Sequence, residues 1–205
     1  MSGRKQFDVD TALEAVMVTF WRLGYADTSL DVIGRATGLG RGSLYGTFGG
    51  KDVLFRLALA RYARTWGDQY DRALAGHPDD AVAAVRAYFE VIVDRLTDPT
   101  VPDGCLVAQS ASQSASLSPE SAAAVRDLLD RQCERIRAAL EPSGLPSDVL
   151  HDLALFVCAT NQSLTVLSRA GFSEPELRSV ARTATTAVSN ALAEGLSGVG
   201  EPARR

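Results

Sequence analysis

Histidine and cysteine are scarce in this 205-residue chain, which holds two histidines, His77 and His151, and three cysteines, Cys105, Cys133 and Cys158. No Cys/His group has zinc-site spacing, so no metal is expected. Three widely spaced thiols are not the disulfide framework of a small secreted domain, and a reducing cytoplasm is the expected compartment. Apolar runs fall short of the roughly 18 residues that span a bilayer. The opening Met-Ser-Gly-Arg-Lys lacks the apolar stretch of a signal peptide, so no membrane partner is expected. No Ser/His/Asp or paired-carboxylate arrangement stands out, so neither catalytic residues nor a cofactor are expected. A general excess of positive charge is also missing, since the net charge is −4. Residues 1–51 are the exception. Arg4, Lys5, Arg22, Arg35, Arg41 and Lys51 there outnumber five carboxylates, which makes the N-terminal end the weakly positive one.

What is present is a helical pattern. The chain is 46% hydrophobic and 22% charged, a composition that can bury a core. β-Branched runs are short, and Ala, Leu and Arg favour helices. Punctuation by Gly, Pro and capping residues predicts about nine helices in an all-α fold. The first covers about 9–23. The second covers 29–37 behind Thr28 as cap, with Leu30, Ile33 and Ala36 as its core stripe. A very short third covers 42–48, and a fourth covers 51–75. Five more follow, at about 79–97, 105–115, 119–140, 147–170 and 174–194, with Ser147 capping the eighth and a capping box, Ser173 to Glu176, opening the ninth. Residues 1–50 read as a three-helix module and 51–195 as a larger helical domain, with the fourth helix as connector and 196–205 as a flexible tail.

Gly38-Leu39-Gly40 between two short helices suits a helix-turn-helix. With Leu44 and Phe48 turned to the core, the third helix presents Arg41, Gly42, Ser43, Tyr45, Gly46 and Thr47 outward. These residues are small or hydrogen-bonding, and none is acidic. A face of that kind can approach DNA closely. The stretch resembles the DNA-binding domain of the TetR family of bacterial regulators, at Phe20, Gly24, Tyr25, Thr28, Ser29, Ile33, Ala36, Gly38, Gly42, Ser43, Leu44, Tyr45, Phe48, Lys51, Asp52, Leu54 and Phe55. The remaining helices match that family in layout and length alone.

The resemblance implies a homodimer that binds a palindromic double-stranded DNA operator, with the third helix in the major groove. Arg41, Ser43, Tyr45 and Thr47 would meet bases or phosphates, with Gly42 and Gly46 allowing close approach. Many relatives carry a larger residue at Gly46, so Arg41 and Thr47 would do most of the direct reading. Thr28 and Ser29 would hold one phosphate at a helix N-terminus, and Lys51 would clamp a second. The C-terminal domain would dimerise through the eighth and ninth helices and bind a small-molecule effector that releases the operator. Its candidate ligand-binding residues are Tyr62, Trp66, Tyr88, Phe89, Cys105, Gln109, Phe156 and Gln162. Asp103-Gly-Cys-Leu-Val107 resembles a segment that opens the sixth helix in one subgroup, although Gln109 and Gln113 depart from the Asn and Glu common there. In some relatives a cysteine in that segment senses oxidants or electrophiles, and a helix N-terminus favours the reactive thiolate. A thiol-based repressor acting through Cys105 is therefore the alternative reading.

Overall fold

The computed structural model describes residues 8–198, with side chains as far as residue 194. Among them are nine α-helices and two 3-10 turns, and no strand. The helices are α1 (Val9–Leu23), α2 (Leu30–Thr37), α3 (Arg41–Phe48), α4 (Lys51–Ala75), α5 (Ala81–Thr97), α6 (Leu106–Ser112), α7 (Pro119–Leu140), α8 (Ser147–Arg169) and α9 (Glu174–Gly198). The all-α expectation is met. The expected tail differs, because α9 runs through Gly198 and residues 199–205 lie outside the described residues.

Several caps move by a residue or two. Ser29, not Thr28, caps α2, its hydroxyl accepting from the Val32 N–H at 3.2 Å. Asp80 caps α5 by accepting from the Ala83 N–H at 2.8 Å, so that helix starts two residues later than its pattern suggests. Pro146 stands before α8 and Ser147 is its first residue. The α6 helix stops at Ser112, and a 3-10 turn, Ser114–Ser116, follows. The Ser173/Glu176 pair caps α9 as its spacing predicts, and Ser118 caps α7 by accepting from the Ser121 N–H at 3.1 Å.

Packing divides the chain into two compact units that do not follow the chain linearly. The first holds the described residues up to Trp66 together with 105–128, and the second holds 67–104 together with the described residues from Leu129. Both α4 and α7 therefore contribute to each unit. In the first unit α1 packs on α2 and α6, and α2 packs on α3. Its core is aromatic. Phe20 meets Phe55 edge-on at 5.1 Å, Tyr25 meets Phe55 at 4.8 Å, and Trp21 meets Tyr62 at 4.9 Å. Such pairs add roughly 0.5–1.5 kcal/mol each beyond their burial. Ile33, Leu44 and Phe48 seat α2 and α3 on this core. Of the expected α2 stripe, Ile33 alone is buried, whereas Leu30 is half-buried and Ala36 is exposed. In the second unit α5 packs against α8 and α9, and α8 packs against α9, around Val85, Tyr88, Phe89, Ile92, Val157, Leu164 and Val188.

Candidate nucleic-acid interface

The turn between α2 and α3 sets the geometry of the outward face. Gly38 ends α2 in the left-handed region, with φ +70°, where a Cβ is disfavoured. Leu44 and Phe48, four apart, turn inward and fix the rotation of α3. Arg41, Gly42, Ser43, Tyr45, Gly46 and Thr47 are all exposed as a result, and Tyr45 is 59% exposed. A Cβ placed on Gly40, Gly42 or Gly46 would have no neighbour within 4 Å. Nothing inside the protein therefore asks for glycine at the two helical positions.

Around this face the structure refines the expected roles. Ser29 is exposed at the N-terminus of α2. Thr28 is fully buried and donates its hydroxyl hydrogen to the Gly24 carbonyl at 2.6 Å. Its single hydroxyl donor is thus engaged in the turn after α1. The Lys51 ammonium lies 4.2 Å from the centre of the Tyr25 ring, a cation–π contact that steadies it. Burial pushes the Lys51 pKa down, opposed by the Asp27 charge. Arg41 is gripped by Asp31 through two hydrogen bonds, a partner the sequence pattern did not reveal.

Asp52, the second residue of α4, anchors a polar knot. Its Oδ1 accepts from the hydroxyls of Ser121 at 2.6 Å, Ser118 at 2.9 Å and Tyr25 at 3.4 Å. Its Oδ2 pairs with Arg56. Burial raises the Asp52 pKa, but the bonds from Ser121, Ser118 and Arg56 outweigh that and leave it below its ordinary value.

The eight expected ligand residues divide equally between the two units. Tyr62, Trp66, Cys105 and Gln109 belong to the first unit, and Tyr88, Phe89, Phe156 and Gln162 to the second. Tyr62 is buried and its hydroxyl meets the Cys105 sulfur at 3.3 Å. Trp66 packs edge-on to Trp21 at 6.2 Å. Cys105 precedes α6 and is half-buried. The Gln109 amide lies beside Gly24, close enough that a Cβ there would stand 2.9 Å from it. In the second unit Tyr88 is wholly buried, and its hydroxyl oxygen accepts from the side chains of Gln132 at 2.8 Å and Asn161 at 3.1 Å. Burial holds its pKa well above the usual value. Gln162 donates to Gln132 at 3.0 Å, and the carbonyl oxygens of Asn161 and Gln162 are buried without a donor. Phe89 packs beside Tyr88 at 5.8 Å. Phe156 is 42% exposed on the outer side of α8, facing away from this cluster. Gln132 and Asn161, which complete the cluster, were missed by sequence reasoning, although an Asn inside the apolar run of α8 was a visible signal.

Gly104 of the Gly-Cys-Leu segment has a local reason to be glycine. Its φ is +77°, and a Cβ would lie 2.7 Å from the Arg169 side chain. Its carbonyl accepts from Arg95 at 2.5 Å, and Arg95 also donates to the Tyr70 hydroxyl at 3.1 Å. Cys158 is buried, while Cys133 is half-buried. Burial, with Cys133 beside it, raises the Cys158 pKa.

The outer faces of α8 and α9 carry a stripe of apolar or small residues, with Arg182 and Asn190 also exposed on α9. On α8 the exposed residues include Leu155, Phe156, Ala159, Ser163 and Val166, and on α9 Thr183 and Ala187 are exposed beside half-buried Val180 and Ala191. Val166 is 65% and Leu155 53% exposed. Ala154, Cys158, Ala184 and Val188 point inward instead, into the core of the second unit. Among the described residues, no helix is long and apolar enough to cross a membrane, and no group of three or more His, Cys, Asp or Glu could hold a metal ion.

Comparison with known proteins agrees with this arrangement. Residues 12–58 match the family model of bacterial regulatory proteins, tetR family, and residues 81–183 match that of the transcriptional regulator LmrA/YxaF-like C-terminal domain. The HTH-type transcriptional repressor ComR of Escherichia coli K12 is 31% identical over 191 residues, spanning 87% of this chain and 88% of ComR. A cysteine mutant of the TetR family regulator CifR, solved with a 26-base-pair double-strand operator DNA, superposes with a TM-score of 0.80. It is 30% identical and covers 89% of this chain and 97% of its own. A TetR regulator from Chloroflexus aurantiacus superposes with a TM-score of 0.78 at 25% identity, covering 88% of this chain and 93% of its own. The chain belongs to the TetR family of bacterial transcriptional regulators.

Proposed function

We propose that this regulator is a repressor that binds a palindromic operator as a homodimer and releases it when a small molecule occupies the C-terminal domain. The observation that carries the reading is the exposed, acid-free face of α3, with Arg41, Ser43, Tyr45 and Thr47 around the bare positions Gly42 and Gly46. These side chains would contact bases and phosphates in the major groove. Ser29 at the start of α2 and Lys51 at the start of α4 would hold flanking phosphates, helped by backbone N–H groups. ComR is named a repressor, and CifR is solved on operator DNA, which supports the same role here.

Dimerisation through α8 and α9 would cover the stripe that runs from Leu155 to Val166 and from Val180 to Ala191. A two-fold dimer would present its two α3 helices to half-sites about one DNA turn, ~34–36 Å, apart. The effector would be a small molecule of unassigned identity, and its candidate contacts form two sets, Tyr62, Trp66, Cys105 and Gln109 in the first unit and Tyr88, Phe89, Phe156 and Gln162 in the second. Because α4 is one continuous helix with Lys51 at its start, a shift along it would change operator spacing. Release is then a population shift, and moving it from 1:99 to 99:1 takes about 5.5 kcal/mol of differential affinity.

A second reading is favoured by one contact, the Tyr62 hydroxyl against the Cys105 sulfur at 3.3 Å. Modification of that thiol would break the contact and disturb the start of α6. Loss of oxidant response in Cys105→Ser, with operator binding intact, would select this reading over a non-covalent effector.

The test is binding of the purified protein to DNA from upstream of its own gene, at fixed salt with excess competitor. Saturation at two protomers per palindrome, weakened by Tyr45→Ala and Lys51→Ala, is the expected result. Failure to select any sequence, there or from a random pool, would remove the reading. The modest charge of residues 1–51 predicts a moderate salt slope, shallower than a strongly basic protein gives.

A further inference from the structure

Arg41 opens α3 with 68% of its side chain exposed, yet the side chain is held. Its Nε donates to Oδ1 of Asp31 at 2.6 Å, and its Nη2 donates to Oδ2 at 2.5 Å. Asp31 sits in the first turn of α2. Hydrogen bonding from Arg41, with the nearby Arg41 and Arg35 charges, holds the Asp31 carboxyl below its ordinary pKa, so the pair is ionised at neutral pH. An exposed pair of this kind contributes little to stability, because both side chains lose freedom to form it. Its use must be sought outside the fold.

A guanidinium carries five N–H donors in a planar fork. Asp31 takes the Nε hydrogen and one on Nη2, which leaves the second Nη2 hydrogen and both on Nη1. Two of those three form the end-on edge, which is the edge that grips two adjacent acceptors. In the major groove guanine offers O6 and N7 side by side. A phosphate offers a similar pair, but it brings a full negative charge up against the Asp31 carboxylate, whereas a base edge brings partial charges. Gly42, the next residue of α3, has open space where its Cβ would be, so the approach to a base is not blocked from the helix side.

We propose that Asp31 is a specificity-determining positioning residue, which holds Arg41 so that its free end grips O6 and N7 of a guanine in each half-site. The proposal rests on the operator-binding reading and deepens it.

The experiment selects binding sites from random-sequence DNA with the full-length protein, then measures every single-base change in the selected site at two salt concentrations. Wild type, Asp31→Ala, Asp31→Asn and Arg41→Ala are compared, with melting temperatures measured in parallel. In the wild type one G·C pair per half-site is required. Replacing it costs roughly 5- to 140-fold, the range of one bidentate contact. Arg41→Ala abolishes that preference. Asp31→Ala weakens it at least fivefold at the same position alone, and tightens binding to unrelated DNA because Arg41 becomes free to reach a phosphate. The salt slope then steepens by about one per protomer. Asp31→Asn, which keeps one acceptor, falls between wild type and Asp31→Ala. A strut that merely ties α2 to α3 would lower the melting temperature or weaken all sequences equally, and that outcome overturns the proposal. So does an Asp31→Ala protein with unchanged base preferences. A wild type that selects no sequence overturns the operator reading, and this proposal with it.

Discussion

The backbone N–H of Tyr25 donates to Oε1 of Gln113 at 2.9 Å, joining residues 88 positions apart. Gln113 ends α6, and Tyr25 follows the glycine that ends α1. That glycine, Gly24, has φ +79°, and a Cβ on it would lie 2.6–2.9 Å from the Gln113 and Gln109 amides. The α1–α2 turn is thus shaped by α6. Replacing Gln113 with Leu removes the acceptor and strands a part-buried N–H, at a cost of about 1–3 kcal/mol in stability. Urea unfolding measures the loss, and hydrogen exchange at the Tyr25 amide should accelerate. Gln113→Glu keeps an acceptor and should retain most of the protection. Unchanged exchange in Gln113→Leu would mean that the bond is not formed in solution.

Gly46 gives a prediction in which stability and function move in opposite directions. A mid-helix glycine is about 1 kcal/mol less favourable than alanine, and the space beside Gly46 is open. Gly46→Ala should therefore stabilise the isolated protein by up to about 1 kcal/mol in denaturant titration while weakening operator binding several-fold. If binding is unchanged, the DNA does not approach this part of α3, and the docking direction assumed for the helix is wrong.

What the sequence made legible was periodic or local. The inward pair Leu44 and Phe48, the α4 span and the Ser173 cap all follow from spacing of a few residues, and the structure keeps them. Partnerships across elements were not legible. Asp31 reads as an ordinary first-turn acid, because an Arg ten positions on, across a glycine turn, follows no helical period. Thr28 has the chemistry of a phosphate ligand, and its hydroxyl is instead turned back onto the Gly24 carbonyl four residues earlier, a local bond that its residue type alone does not announce. On α8 the pattern marks Ala154, Cys158, Ser163 and Val166 alike as small or apolar. A helix that carries one apolar stripe for the core and another outside it does not reveal which is which.

Asp52 should govern part of the acid sensitivity. Its folded pKa lies below the ordinary carboxylate value, so its contribution is complete above that ordinary value and is lost as pH falls through the lowered one. Ser118→Ala with Ser121→Ala removes two of the bonds that lower it. The double variant should begin to unfold at a higher pH than the wild type in an acid titration followed by circular dichroism. The part of the stability difference that passes through Asp52 should vanish once Asp52 is protonated in both proteins, leaving only the pH-independent loss of the Ser118 cap. An unmoved acid transition would assign acid unfolding to other carboxylates.

Val166 tests the assembly. It is 65% exposed on α8, in line with Leu155 at 53%, and exposed apolar residues gathered in a stripe mark an interaction surface. In a two-fold interface any substitution appears twice, so Val166→Glu places two carboxylates in the buried seam. Light scattering should give twice 21.8 kDa for the wild type and the single-chain mass for the variant at the same concentration. The isolated fold should survive, because Val166 lies outside the core of its own chain. Operator affinity should fall steeply, since two unlinked heads lose the effective concentration that a dimer supplies. A Val166→Glu protein that stays dimeric and binds normally would move the interface off this stripe.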